Sequence, residues 1–72
     1  MRKFNIEESN NIGQTYQAVC KANYYYEEML TEGKEYAITI CEAILSCSPL
    51  CSFIGDDGEE HACHLKRFER IL

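Results

Sequence analysis

Two cysteines and then a cysteine between two histidines lie close together in the C-terminal half of this chain: Cys47-x3-Cys51, followed by His61-x-Cys63-His64. Thiolate and imidazole are favoured zinc ligands, and a structural site holds four of them in a tetrahedron. A hairpin joining 51–54 to 60–64 would bring the two groups near each other. Two features argue against a site: no Cys-x2-Cys knuckle is present, and strand alternation sends His61 and Cys63 to one face and His64 to the other. The expectation is therefore no metal and no cofactor, with Cys51 and Cys63 filling the core. A small zinc-binding domain using Cys47, Cys51, Cys63 and a histidine is the alternative. Nucleophilic catalysis by Cys63 fares worse. A reactive thiolate needs a cation or a helix N-terminus beside it. Neighbours on a strand face opposite ways, so His64 would not meet Cys63, and no oxyanion-hole signature accompanies them. No catalytic residue is assigned and no enzyme is expected.

Two further groups invite attention. Asp56, Asp57, Glu59 and Glu60 form an acidic cluster. Its spacing is not that of a twelve-residue calcium loop, so it reads as a solvated hairpin. Tyr24, Tyr25 and Tyr26 stand in a row. Tyrosine offers a large apolar plate with a polar tip and suits interfaces. Three in succession cannot all enter a small core, so these residues are the candidate binding surface. Tyr36 is expected inside.

The elements that must position these residues are set first by size. Seventy-two residues make one domain, and a chain of this length buries only about 60% of the surface it exposes when unfolded. A site is then a shallow groove or an exposed edge. A net charge of −5 argues against binding a phosphate backbone, which needs clustered Lys and Arg. Lys66, Arg67 and Arg70 read as a solvated strand face. Met1-Arg2-Lys3 is basic, but polar residues from Asn5 to Asn11 interrupt any signal-peptide core. No apolar run approaches the roughly 20 residues of a membrane helix. Five cysteines without an export signal suggest reduced thiols and a cytoplasmic protein, with Cys20 and Cys41 in or near the core.

Along the chain, residues 1–14 read as a flexible N-terminal arm, with Phe4 and Ile6 compatible with a short edge strand or with disorder. Tyr16 to Ala22 alternates as a first strand. Residues 23–33 read as a long loop with at most a single helical turn, laying Met29 and Leu30 over the fold. Tyr36, Ile38 and Ile40 alternate with Ala37, Thr39 and Cys41, giving a strand over 35–42. Ser46 to Pro49 is a turn, Leu50 to Ile54 a strand, and Asp56-Asp57-Gly58 a tight hairpin. Glu59 to Leu65 returns, Lys66-Arg67-Phe68 turns back, and Glu69 to Leu72 closes.

Three phrases carry a resemblance. Leu30-Thr31-x-Gly33-Lys34-x-Tyr36, Ile54-x-Asp56-Asp57-Gly58-Glu59-Glu60 and Arg67-Phe68-Glu69 are similar to a class of small bacterial and phage SH3-like barrel proteins of uncharacterised function, over roughly residues 18–72. In that class the first phrase ends a long loop, the Asp-Gly pair turns a hairpin, and the last closes the barrel. This chain departs from the class at His61-Ala62-Cys63-His64-Leu65, where large aromatics and a proline are usual, and in the cysteine-rich segment from Ile44 to Cys51. The resemblance implies no catalytic residues.

Together these readings give an all-β fold: a small five-stranded SH3-like barrel over 15–72 with a long first loop and a loose arm over 1–14. Its core is Ala18, Cys20, Leu30, Tyr36, Ile38, Ile40, Phe53 and Phe68. The expected function is a non-catalytic interaction module that binds through the tyrosine loop or a strand edge. Its partner is an unknown protein or a second copy, with no nucleic acid and no membrane.

Overall fold

The structure, a computed structural model, describes residues 1–42 and 49–71, with Glu42 described by its backbone alone. It is all-β, with one antiparallel sheet of five strands: β1 (Thr15–Cys20), β2 (Glu35–Glu42), β3 (Leu50–Ile54), β4 (Glu60–His64) and β5 (Phe68–Arg70), ordered β4-β3-β2-β1-β5. One short helix, α1 (Ile6–Ser9), precedes the sheet, and a 3-10 turn over Leu65–Arg67 links β4 to β5.

Alternation decides which face is buried. Ala18 and Cys20 on β1, Tyr36, Ile38 and Ile40 on β2, Cys51 and Phe53 on β3, Cys63 on β4 and Phe68 on β5 form one cluster. Most residues between them, such as Gln17, Ala37, Cys41 and Ala62, are exposed, whereas Val19 is buried. Cys41 is thus not near the core as expected: Ile40 takes the inward position, and a period of two sends its neighbour outward. A sheet with one apolar face and no second sheet must curl over that face, and Leu30 from the long loop and Leu65 from the 3-10 turn complete the cover, 0% and 3% exposed. β2 pairs with β1 through Glu35–Thr39 and with β3 from Ile38 onward, with a register shift between Ile40 and Glu42 that helps the sheet bend. Tyr36, Phe53 and Phe68 meet edge to face with centroids 5.9–6.1 Å apart, a geometry that adds to area burial.

The hairpin after β3 is one residue longer than an Asp-Gly two-residue loop. Gly58 N–H donates to the Gly55 carbonyl at 2.9 Å, and Gly55 N–H to Glu59 at 2.8 Å. The loop is therefore Asp56-Asp57-Gly58, with only Gly58 at positive φ (+81°), the pattern of a type I turn closed by a glycine bulge.

Residues 1–14 have anchors that their composition did not suggest. Arg2 and Arg70 exchange backbone hydrogen bonds of 3.2 and 2.7 Å, which covers the outer edge of β5. No strand forms at Phe4–Ile6. Asn5 instead caps α1 in a reciprocal box with Glu8, and Phe4 packs edge-on against Tyr16. The Glu8 carboxylate is buried between Arg2, at 2.6 Å, and Arg70. The Arg2 guanidinium, together with the Asn5 amide and Arg70, holds that carboxyl down to about 2 despite its burial.

Candidate functional site

The long loop leaves β1 at Cys20 and returns to β2 at Glu35, and its base continues the ladder. Cys20 N–H donates to Lys34 at 3.0 Å and Gly33 N–H to Cys20 at 2.8 Å. Gly33 sits at φ +87°, a conformation without penalty only for glycine. Two polar junctions then shape the loop.

The first ties its far end to the hairpin. Asp56 accepts from the Thr31 hydroxyl and Lys34 Nζ, both at 2.6 Å, and from the Tyr36 hydroxyl at 3.0 Å. Tyr36 in turn accepts from Thr31 N–H at 2.7 Å. The Asp56 backbone N–H donates to Met29 at 2.8 Å. Lys34 first, then Thr31 and Tyr36, hold the Asp56 carboxyl down to about 2. Burial pushes the Tyr36 hydroxyl up. Two phrases 20 residues apart in the chain, by the Tyr36–Asp56 separation, are therefore one structural joint. Asp57 turns instead to His61, whose Nε2 lies 2.9 Å from its carboxylate.

The second junction builds the tyrosine surface. Arg67, expected in solvent, is 8% exposed. Its backbone carbonyl accepts from Lys21 at 2.7 Å and Ala22 at 3.3 Å, and its guanidinium donates to the carbonyls of Ala22 at 3.2 Å and Tyr24 at 2.8 Å. The guanidinium carbon lies 4.3 Å from the Tyr24 ring centroid and 4.4 Å from that of Tyr26. An arginine that stacks with two rings while one terminal nitrogen is tied to two carbonyls is buried at reduced cost.

With Tyr24 and Tyr26 both turned to Arg67, the residue between them must face away. Tyr25 is 85% exposed and is the one non-glycine residue at positive φ among the described residues (+69°). Holding a tyrosine there costs roughly 1–2 kcal/mol. Tyr24, 51% exposed, meets the Tyr25 ring edge-on at 5.5 Å. Tyr26 is half-buried, packs on the core, and donates its hydroxyl to the Ala62 carbonyl at 3.3 Å on β4. Of the three tyrosines expected to bind, Tyr24 and Tyr25 form an outward platform and Tyr26 belongs to its foundation. Sequence reasoning missed Arg67. No periodic signal marks it, because it ends the 3-10 turn Leu65–Arg67 and does not sit on a strand.

The metal-ligand candidates do not converge. Cys51 and Cys63 lie opposite each other on β3 and β4, both buried. His61 shares their face but is engaged by Asp57 and lies over Phe53, with centroids 5.8 Å apart. His64 is exposed on the other face. Cys47 lies outside the described residues. No group of three or more His, Cys, Asp or Glu suited to a metal occurs among the described residues. Nor is any helix among them long and apolar enough to cross a membrane. Beside the arm, a surface groove of about 230 Å³ runs between Phe4, Pro49, Leu65 and Phe68, with Lys3 and Lys66 among its lining residues.

Comparison of the chain with protein-family models, with curated proteins and with solved structures finds no match.

Proposed function

We infer that this protein is a small non-catalytic interaction module, built as an SH3-like barrel, whose partner surface centres on Tyr24 and Tyr25. One observation carries the reading: Tyr25, 85% exposed, is held outward at positive φ by an arginine that fixes the tyrosines on either side. Strained backbone is retained where the surroundings over-determine it, and such strain concentrates at working surfaces. Five short antiparallel strands that bury one common face support the barrel reading, with β4 and β5 left as the two edges of the sheet.

The partner is a protein or a second copy of this chain. An acidic chain with a net charge of −5 and no basic track suits neither a phosphate backbone nor an anionic membrane. A zinc-dependent domain would need Cys47 to join Cys51 and Cys63, with His61 released from Asp57, and no observation favours it. Tyr25→Ala and Tyr24→Ala/Tyr25→Ala test the reading. An interface aromatic of this kind is worth about 2 kcal/mol of binding. The variants should stay folded and either lose a captured partner or shift self-associated protein toward monomer in sedimentation. Unchanged capture and unchanged mass in folded variants would move the functional surface elsewhere.

A further inference from the structure

Cys51 and Cys63 have no role in the tyrosine surface, yet their placement is specific. They are directly opposite on adjacent antiparallel strands, share the core face, and are 0% and 3% exposed. The ladder also shows which kind of pair they form. Leu65 N–H donates to Pro49 and Gly55 N–H to Glu59. Stepping two residues along each strand from the first bond, or four from the second, makes Cys51–Cys63 a hydrogen-bonded pair. Cα atoms in such a pair lie about 5.5 Å apart, within the span of a disulfide. The Cys63 thiol donates to the His64 carbonyl at 3.6 Å.

We propose that Cys51 and Cys63 are a redox-active dithiol, oxidised by hydrogen peroxide to a reversible cross-strand disulfide. The Cys63 thiolate attacks one peroxide oxygen and breaks the O–O bond, leaving a sulfenic acid on Cys63 and a hydroxide that takes up the thiol proton as water. Cys51 sulfur then attacks Cys63 sulfur and breaks the S–O bond. The departing hydroxide takes the Cys51 proton and leaves as a second water. Two thiols lose two electrons and two protons, and one peroxide becomes two waters. A dithiol reductant reverses the bond by exchange.

The roles are assigned by surroundings. The neighbouring Cys51 thiol and the Arg67 cation draw the Cys63 thiol down against the opposing effect of burial. Cys63 and burial push the Cys51 thiol up. Cys63 is thus the attacking sulfur and Cys51 the resolving one. Burial of both sulfurs excludes bulky disulfides, so the oxidant must be small. Cys20 is engaged elsewhere, donating to the Ala22 carbonyl, and Cys41 lies on the opposite face of β2.

The test uses the full chain, purified reduced and titrated with hydrogen peroxide, then alkylated and mapped without reduction. The expected result is a Cys51–Cys63 link as the first product. It carries a mass loss of two hydrogens, a melting temperature raised by about 5 °C or more, and full reversal by dithiothreitol. Cys63→Ala and Cys51→Ala should each abolish the mass change, and Cys41→Ala should keep it. Mapping of the wild-type chain decides alone if either core variant folds poorly. A first link between other cysteines, or Cys51 and Cys63 remaining free at a peroxide dose that oxidises Cys41, would overturn the proposal.

Discussion

Replacing Arg67 should remove the support under the tyrosine surface and, with it, a large part of the protein's stability. A chain of 72 residues is held by roughly 4–11 kcal/mol, at about 0.05–0.15 kcal/mol per residue. Arg67 makes two charge-assisted hydrogen bonds, to Ala22 and Tyr24, each worth about 1.5–3 kcal/mol when broken. It also makes two ring contacts near 4.3–4.4 Å, each worth about 0.5–1 kcal/mol. These terms share one side chain and are not additive. A reasonable total for Arg67→Ala is about 3–4 kcal/mol, because the carbonyls lose their donors and the rings lose their filler. Arg67→Lys keeps the charge but loses the planar fork, so it should cost about half as much. Urea unfolding followed by far-ultraviolet circular dichroism measures both. Near-ultraviolet dichroism should report the loosening of Tyr24 and Tyr26 in the variant that still folds. An Arg67→Ala variant within about 0.5 kcal/mol of wild type, or a lysine as good as the arginine, would refute the argument that this residue builds the loop.

Acid should weaken the fold in a defined window. Glu8 is lowered from 4.5 to about 2 by Arg2 and its neighbours, and Asp56 from 3.8 to about 2 by Lys34 and its neighbours. Carboxyls depressed in the folded state contribute stability above their unfolded values, and that stability fades as pH falls toward the folded ones. Melting temperature should therefore drop between about pH 4.5 and 2, and Glu8→Gln and Asp56→Asn should each flatten that limb in a pH series. Gly58→Val should cost about 1–2 kcal/mol through backbone strain alone, since Gly58 is at φ +81° and an added Cβ meets nothing; an unchanged denaturation midpoint would contradict the turn. Gly55→Ala should be damaging for a different reason, because its Cβ would lie 2.8 Å from Asp57 Oδ1 and 3.1 Å from the Met29 carbonyl. A strong chelator should leave the amide spectrum of the domain dispersed, since the thiols and imidazoles of the described residues do not converge on one point.

The sequence by itself determined the features that repeat along the backbone or demand a particular residue. Period-two alternation in β2 and the glycine of the Asp56-Asp57-Gly58 turn are local properties, so strand faces and the turn could be read without a partner in view. The eight expected core residues, from Ala18 to Phe68, are all buried, because alternation assigns a face and an apolar side chain takes the dry one. Tertiary structure alone decided which polar residues meet. Asp56 and Lys34, or Arg67 and Tyr24, are far apart in sequence, and nothing in either residue announces its partner. By sequence, Arg67 therefore falls on a solvated face and Glu8 in a flexible arm, whereas both are buried in pairing networks. The division of labour among three like neighbours was likewise invisible: Tyr24, Tyr25 and Tyr26 have the same chemistry, and only Arg67 stacked with Tyr24 and Tyr26 forces Tyr25 outward. Local periodicity encodes burial, whereas pairing depends on register between strands, and register is a property of the folded sheet.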